Sequence, residues 1–146
     1  MESFSIKTEI RWADLDPNFH VLHSKYYDFG ASCRMAFLVE HGFTPQVMIE
    51  NNIGPILFRE ECIFKKELRF GDEILINLKL SKITADLSRW SMEHEIWKNG
   101  NTLAAIMHVD AAWMDTQKRK LTVPPAMIHD IFDKMPKTEN FQIIIK

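Results

Sequence analysis

The chain has 146 residues, 46% hydrophobic and 26% charged, which supplies enough apolar material for the core of one domain. A formal charge of −2 excludes a general electrostatic attraction to nucleic acid or to anionic membranes, so an anionic ligand would need a local basic patch. No stretch reaches the ~18 apolar residues of a membrane span, and Met1-Glu2-Ser3-Phe4-Ser5 lacks the basic region and apolar run of a signal peptide. A cytoplasmic protein with no membrane or nucleic-acid partner is the expectation. Cys33 and Cys62 show neither metal-ligand nor redox spacing and read as free thiols of a reducing compartment. Without repeats, low-complexity tracts or linkers, residues 1–146 read as a single domain.

In chain order, Phe4, Ile6, Thr8 and Ile10 alternate with Ser5, Lys7, Glu9 and Arg11, which predicts a half-buried strand from Phe4 to Trp12. Asp14, Asp16, Pro17 and Asn18 break it. Ser24 is a good N-cap for a helix running to about His41. Tyr26, Phe29, Cys33, Ala36 and Phe37 form its apolar stripe, and Gly42 ends it. Thr44-Pro45-Gln46 predicts a short extra helical turn. Strands follow at Ile56–Lys66, Ile74–Ser81, Arg89–Ile96 and Leu103–Met114, with Asn99-Gly100 as a strong hairpin signal. A short helix, Ala126–Met135, precedes a polar tail. The connections between the later strands are too short for parallel crossovers, so the sheet is antiparallel. The predicted class is α+β in the hotdog plan: an antiparallel five-stranded sheet wrapped around a long central helix, with a short C-terminal helix.

The stretch Arg11-Trp12-Ala13-Asp14-Leu15-Asp16-Pro17-Asn18-Phe19-His20-Val21, continuing through Leu22-His23-Ser24-Lys25-Tyr26, resembles the first motif of the 4-hydroxybenzoyl-CoA thioesterase-like hotdog enzymes. Asp16 falls on the acidic position, His20-Val21 on the His-Val pair and Tyr26 on the aromatic at the start of the helix. Phe19 stands where the family has Gly, and Leu22-His23 where it has Asn-Asn. Leu68-Arg69-Phe70-Gly71-Asp72 resembles the segment in which the second strand of these enzymes ends in Gly-Asp. The resemblance spans nearly the whole chain. It implies an acyl-CoA thioesterase, a hydrolase without cofactor or metal, acting as a homodimer or homotetramer with sites built from two subunits.

Thioester hydrolysis needs a base or nucleophile, donors for the oxyanion, and room for the acyl and CoA groups. Asp16 is the candidate for the first role, with Asp14 as a competitor two residues earlier. Backbone N–H groups near His23 and Ser24, at the helix N-terminus, are candidates for the second. His20 and His23 could add a donor or a proton relay. Asp16, His20 and His23 as a zinc site is the weaker reading. His94 and His108 read as core or interface histidines. Among Lys65, Lys66, Arg69, Lys82 and Arg89, the resemblance favours Arg89 for the CoA phosphates. The competing functions are an acyl-carrier-protein thioesterase, a non-catalytic acyl-CoA-binding module and a hotdog hydratase. Association is expected through the third strand or its neighbour pairing across a two-fold axis.

Overall fold

The computed structural model describes residues 3–145; Met1 and Glu2, where the absence of a signal peptide was read, and Lys146 lie outside them. The elements are β1 (Ser5–Thr8), a 3-10 turn (Trp12–Asp14), α1 (Lys25–Glu40), α2 (Pro45–Glu50), β2 (Ile53–Phe64), β3 (Ile74–Asn77), β4 (Lys79–Thr84), β5 (Arg89–Lys98), β6 (Thr102–Asp115), β7 (Lys120–Leu121), α3 (Ala126–Lys134) and β8 (Lys137–Ile144). The α+β class is as expected. No helix among the described residues is long and apolar enough to cross a membrane.

β3 and β4 follow each other along the same side of β5. The antiparallel order across the sheet is therefore β1, then β3 with β4, then β5, β6 and β2. Alternation explains its core face: Trp90, Met92, His94 and Ile96 on β5 are buried, and the residues between them are not. The hairpin between β5 and β6 turns at Asn99 (φ 54°) and Gly100 (φ 76°), the paired left-handed conformation for which Asn-Gly is suited.

The sheet departs from the expected five strands and has eight among the described residues. The predicted strand Ile74–Ser81 divides at Leu78, where the fully buried side chain still points to the core but the ladder is interrupted. A register shift follows between Leu80 and Lys82. The expected polar tail forms β8, which pairs in parallel with β4 (Ile83 with Ile143). Lys137 anchors it by donating from Nζ to the carbonyls of Phe132, Asp133 and Met135 at 2.9, 3.1 and 2.9 Å. The first strand stops at Thr8, well short of Trp12. Ser24 is helical (φ −66°, ψ −23°) and its side chain caps nothing, contrary to its expected role.

α1 buries Tyr26, Phe29, Cys33, Phe37 and Leu38. It also buries Arg34, whose Nη1 donates to His94 Nε2 at 3.0 Å. His94 Nδ1–H donates in turn to the Asn77 carbonyl at 2.8 Å. Gly30 makes the close approach possible: a Cβ there would lie 2.5 Å from Met107 Cε and 3.3 Å from both Arg34 Nη1 and His94 Cδ2. The two cysteines are free, as expected, and burial pushes Cys33 up to about 12 and Cys62 up to about 11, so both thiols stay protonated near neutral pH. His94 sits in the core, whereas His108 does not: its side chain is half exposed, 3.9 Å from Glu93.

Candidate active site

The 3-10 turn separates the two aspartates by environment. Asp14 is 3% exposed. Its carboxylate accepts from the Arg11 backbone N–H at 2.9 Å and from Arg11 Nη2 at 2.8 Å, with Lys25 Nζ 4.0 Å away. The hydrogen bond from Arg11 holds its pKa below the usual carboxylate range. Asp14 is thus spent on fixing the turn, and its carbonyl receives the Leu22 N–H at 2.7 Å.

Asp16 is only partly buried and opens the next loop. That loop closes on itself: the Asp16 N–H donates to the His20 carbonyl at 2.8 Å, and the Phe19 N–H to the Asp16 carbonyl at 2.9 Å. Oδ1 of Asp16 accepts from the N–H groups of Asn18 (2.8 Å) and His20 (3.2 Å). Oδ2 has no hydrogen-bond partner among the described residues. The carboxylate is therefore oriented through one oxygen, with the other unpaired among the described residues.

The loop needs a left-handed residue at its fourth position, and Phe19 supplies it at φ 64°. A bulky side chain there is strained by about 1–2 kcal/mol. The ring is 62% exposed and lies 6.3 Å from the Trp12 ring, which in turn is 6.5 Å from Phe70. Phe19 thus takes a left-handed conformation that glycine would adopt without strain. Phe19→Gly should leave stability within about 1 kcal/mol, since relieved strain offsets chain entropy, whereas Phe19→Val should cost about 1–2 kcal/mol. Urea unfolding of the two variants checks this, and equal stabilities would contradict it.

His20 is fixed on both sides. A bridge pairs it with Arg69, and its Nε2 lies 2.8 Å from Glu67 Oε2. Arg69 also binds Glu67, donating from Nε to Oε1 at 2.6 Å. His20 therefore braces the loop against the segment that follows β2. His23 is exposed at the start of α1. The backbone N–H groups of His23 and Ser24 have no acceptor among the described residues, while the next two, of Lys25 and Tyr26, bond to the Leu22 and His23 carbonyls. Two free donors thus precede the helix, where its dipole favours negative charge.

A cavity of about 300 Å³ is lined by Asp16, His20, His23, Tyr26, Lys65 and Lys66, among others. The structure therefore gathers Asp16, His20 and His23, and puts Ser24 beside His23 through its backbone alone. Burial pushes the Tyr26 hydroxyl up to about 12, so it stays neutral as a wall of the cavity. Lys65 and Lys66 are the site residues to which the sequence reading gave no preference. The available signal was a Lys-Lys pair at the end of the long strand that leads to Gly71-Asp72.

Arg89 is not part of this cavity. It pairs with Ala112 on β6, at the level of Ile56, whereas Phe64 pairs with Ala105 at the level of Ile96. Seven residues of β5 separate Arg89 from Ile96, roughly 23 Å at the rise of a strand. The Arg89 guanidinium instead lies 5.5 Å from the centre of the Phe58 ring. Within one protomer, Arg89 and Asp16 do not share a site. Among the described residues, the acidic and histidine side chains close enough to share a metal ion are His129, Asp130 and Asp133 on α3, away from this loop.

Residues 10–132 match the model of the thioesterase-like superfamily. Among solved structures, a hypothetical protein from Staphylococcus aureus in complex with CoA superposes with a TM-score of 0.83 at 18% identity, over 94% of this chain and 88% of the other. A 1,4-dihydroxy-2-naphthoyl-CoA thioesterase from Synechocystis gives 0.81 at 18% identity, over 91% and 97%. A gentisyl-coenzyme A thioesterase gives 0.76 at 22% identity, over 90% and 100%. At such identities the likeness is one of fold. No curated protein matched the sequence. With a family match that spans most of its length and carries the Asp16 loop, the chain belongs to the thioesterase-like superfamily.

Proposed function

We propose that the protein is an acyl-CoA thioesterase, hydrolysing an acyl-CoA thioester to the free acid and CoA. The observation that carries this is Asp16. Its carboxylate is held by two backbone N–H groups through one oxygen, with the other unpaired, in a cavity with two lysines beside two free backbone donors. As a base, Asp16 takes a proton from water while the oxygen adds to the thioester carbonyl; as a nucleophile, it adds directly and water then cleaves the acyl–Asp16 anhydride. Either way the oxyanion faces donors at the start of α1, the C–S bond breaks, and the thiolate leaves with a proton. Lys65 and Lys66 favour an anionic substrate, and the solved relatives include thioesterases named for CoA esters and a complex with CoA. The whole chain acts as one domain in this reading, with α1, which buries Phe29, Cys33 and Phe37, as the long helix around which the sheet curls.

The active form in this reading is a homodimer or a higher oligomer. β3 is flanked by β1 and β5, so the third strand offers no free edge. Its neighbour in sequence, β2, pairs with β6 on one side alone among the described residues. Its 12 residues leave Leu57, Phe58, Ile63 and Phe64 exposed. Such an edge invites a second copy. Antiparallel pairing of two β2 strands sets the start of one beside the end of the other, which would carry the Arg89 of one subunit toward the Asp16 loop of its partner. Sedimentation at micromolar concentration should then give at least twice 17.1 kDa. A strictly monomeric species would remove the shared site.

Product analysis tests the reaction type. Saturated acyl-CoA should yield free acid and free thiol in equal amounts. Hydration of an enoyl-CoA without thiol release would establish the hydratase instead.

A further inference from the structure

Glu67 is the second carboxylate of the Asp16 cavity, which His20 also lines. It belongs to the segment after β2, where its carbonyl receives the Lys98 ammonium at 2.7 Å. Its two side-chain oxygens are divided between two partners. Oε1 accepts from Arg69 Nε at 2.6 Å, and Oε2 lies 2.8 Å from His20 Nε2. The hydrogen bond from Arg69 holds the Glu67 carboxyl below the usual carboxylate range, so Oε2 meets the imidazole as an anion. This side-chain contact is not what ties the loop down. Backbone groups do that: His20 and Arg69 form a bridge, and the Val21 N–H donates to the Leu68 carbonyl at 2.8 Å. The side chains of His20 and Glu67 are 33% and 40% exposed, and an ion pair so open to solvent adds little to stability. What the contact fixes is the ring. With Nε2 against Glu67, Nδ1 is the ring nitrogen that has no hydrogen-bond partner among the described residues.

We propose that Glu67 is a positioning residue for thioester cleavage: it holds the His20 ring so that Nδ1 gives a proton to the leaving sulfur. A carboxylate that orients an imidazole and offsets its charge is a recurring device of acid–base catalysis. The inference rests on the proposed function, in which Asp16 is the base or nucleophile. The backbone N–H of His20 holds Oδ1 of Asp16 at 3.2 Å, so both groups ride on one loop. When the tetrahedral adduct collapses, the C–S bond breaks and its electron pair goes to sulfur. The Nδ1 proton of the charged ring follows, giving the free thiol. Nδ1 then regains a proton from the water that is consumed. It comes directly when water attacks an acyl–Asp16 anhydride, and by way of the Asp16 carboxyl when Asp16 is the base. Carboxylic acid and thiol are the products, and the ring ends as it began.

Two thioesters of one acyl group test this, the CoA ester and the para-nitrothiophenyl ester, because nitrothiophenolate leaves without needing a proton. Glu67→Gln should lower kcat for the CoA ester roughly tenfold, change its KM less than about threefold, and leave kcat for the aryl ester within about twofold. The aryl-ester rate thus measures whether the site is intact. His20→Gln should show the same contrast more strongly, and Glu67→Asp, which keeps the charge, should recover part of the lost rate. On the CoA ester alone, adding Glu67→Gln to His20→Gln should cost no further rate, since the one acts through the other. Equal losses on the two esters, as a displaced loop would give, would overturn the proposal. So would a full rate of Glu67→Gln on the CoA ester, or losses that multiply in the double variant. In each of these cases turnover by the unaltered protein keeps the thioesterase reading. No turnover of the CoA ester by the unaltered protein removes that reading, and the role of Glu67 with it.

Discussion

Asp16→Asn should lower thioester turnover by at least ~100-fold, the scale of losing an acid–base group, and should leave acyl-CoA binding within a few-fold of the original. The substitution is chosen for what it preserves. The amide oxygen can still accept from the Asn18 and His20 N–H groups, so the loop and the left-handed Phe19 remain in place. What disappears is the negative charge and the basicity of the oxygen that has no partner. Turnover measured beside calorimetric binding separates the two effects. Asp14→Asn gives a useful contrast. It removes charge from a buried carboxylate bound to Arg11, so it should lower stability by about 1–3 kcal/mol without specifically lowering turnover in the molecules that stay folded. A full rate for Asp16→Asn would take Asp16 out of the reaction.

The second large effect is on stability in mild acid, and it comes from His94. The ring is 0% exposed and its two nitrogens are committed: Nδ1–H donates to the Asn77 carbonyl, and Nε2 accepts from Arg34. A proton on Nε2 would face the guanidinium with no water to screen the charge. Burial, reinforced by the Arg34 charge, lowers the His94 pKa to about 3. In the unfolded chain the same ring titrates near ~6.5. Between those values the unfolded state binds a proton that the folded state refuses, so stability falls as pH falls. The limiting slope is about 1.4 kcal/mol per pH unit for one group. Urea unfolding between pH 7.5 and 4.5 should show this loss beginning near pH 6.5. His94→Gln, which can both donate and accept, should flatten the slope in that window. Carboxylates with lowered pKa, such as Asp14 and Asp86, act in the same direction but at lower pH, near and below ~4. Equal slopes for the two proteins would show that His94 is not the origin.

Where the side chains repeat with a clear period, the sequence was sufficient. β5 alternates Trp90, Met92, His94 and Ile96 inward, and Asn99-Gly100 can hardly do other than turn a hairpin. β8 was hidden because it opens on the polar run Lys137-Thr138-Glu139-Asn140 and pairs in parallel with a strand far away in sequence, so no local signal announces it. The break at Leu78 was equally hidden, since its side chain continues the alternation and the interruption lies in the backbone. At the site, the motif located the Asp16 loop, and Phe19 keeps by strain the conformation that Gly reaches freely. The assignment between Asp14 and Asp16 depends on the 3-10 turn that buries one and leaves the other accessible, which spacing alone does not reveal. Arg89 was favoured for its place in the fourth strand, and strand register puts it at the opposite end of the sheet from the Asp16 loop of its own protomer. Register links residues distant in sequence, and a single sequence does not contain it.

The central claim is that this chain cleaves a CoA thioester, and the most direct measurement is thiol release by the folded protein across acetyl-, medium-chain, long-chain and aromatic acyl-CoAs. The account predicts catalytic release from at least one of them, in proportion to enzyme. No release from any member by folded, oligomeric protein that nevertheless binds acyl-CoA would contradict it and leave an acyl-CoA-binding module in its place.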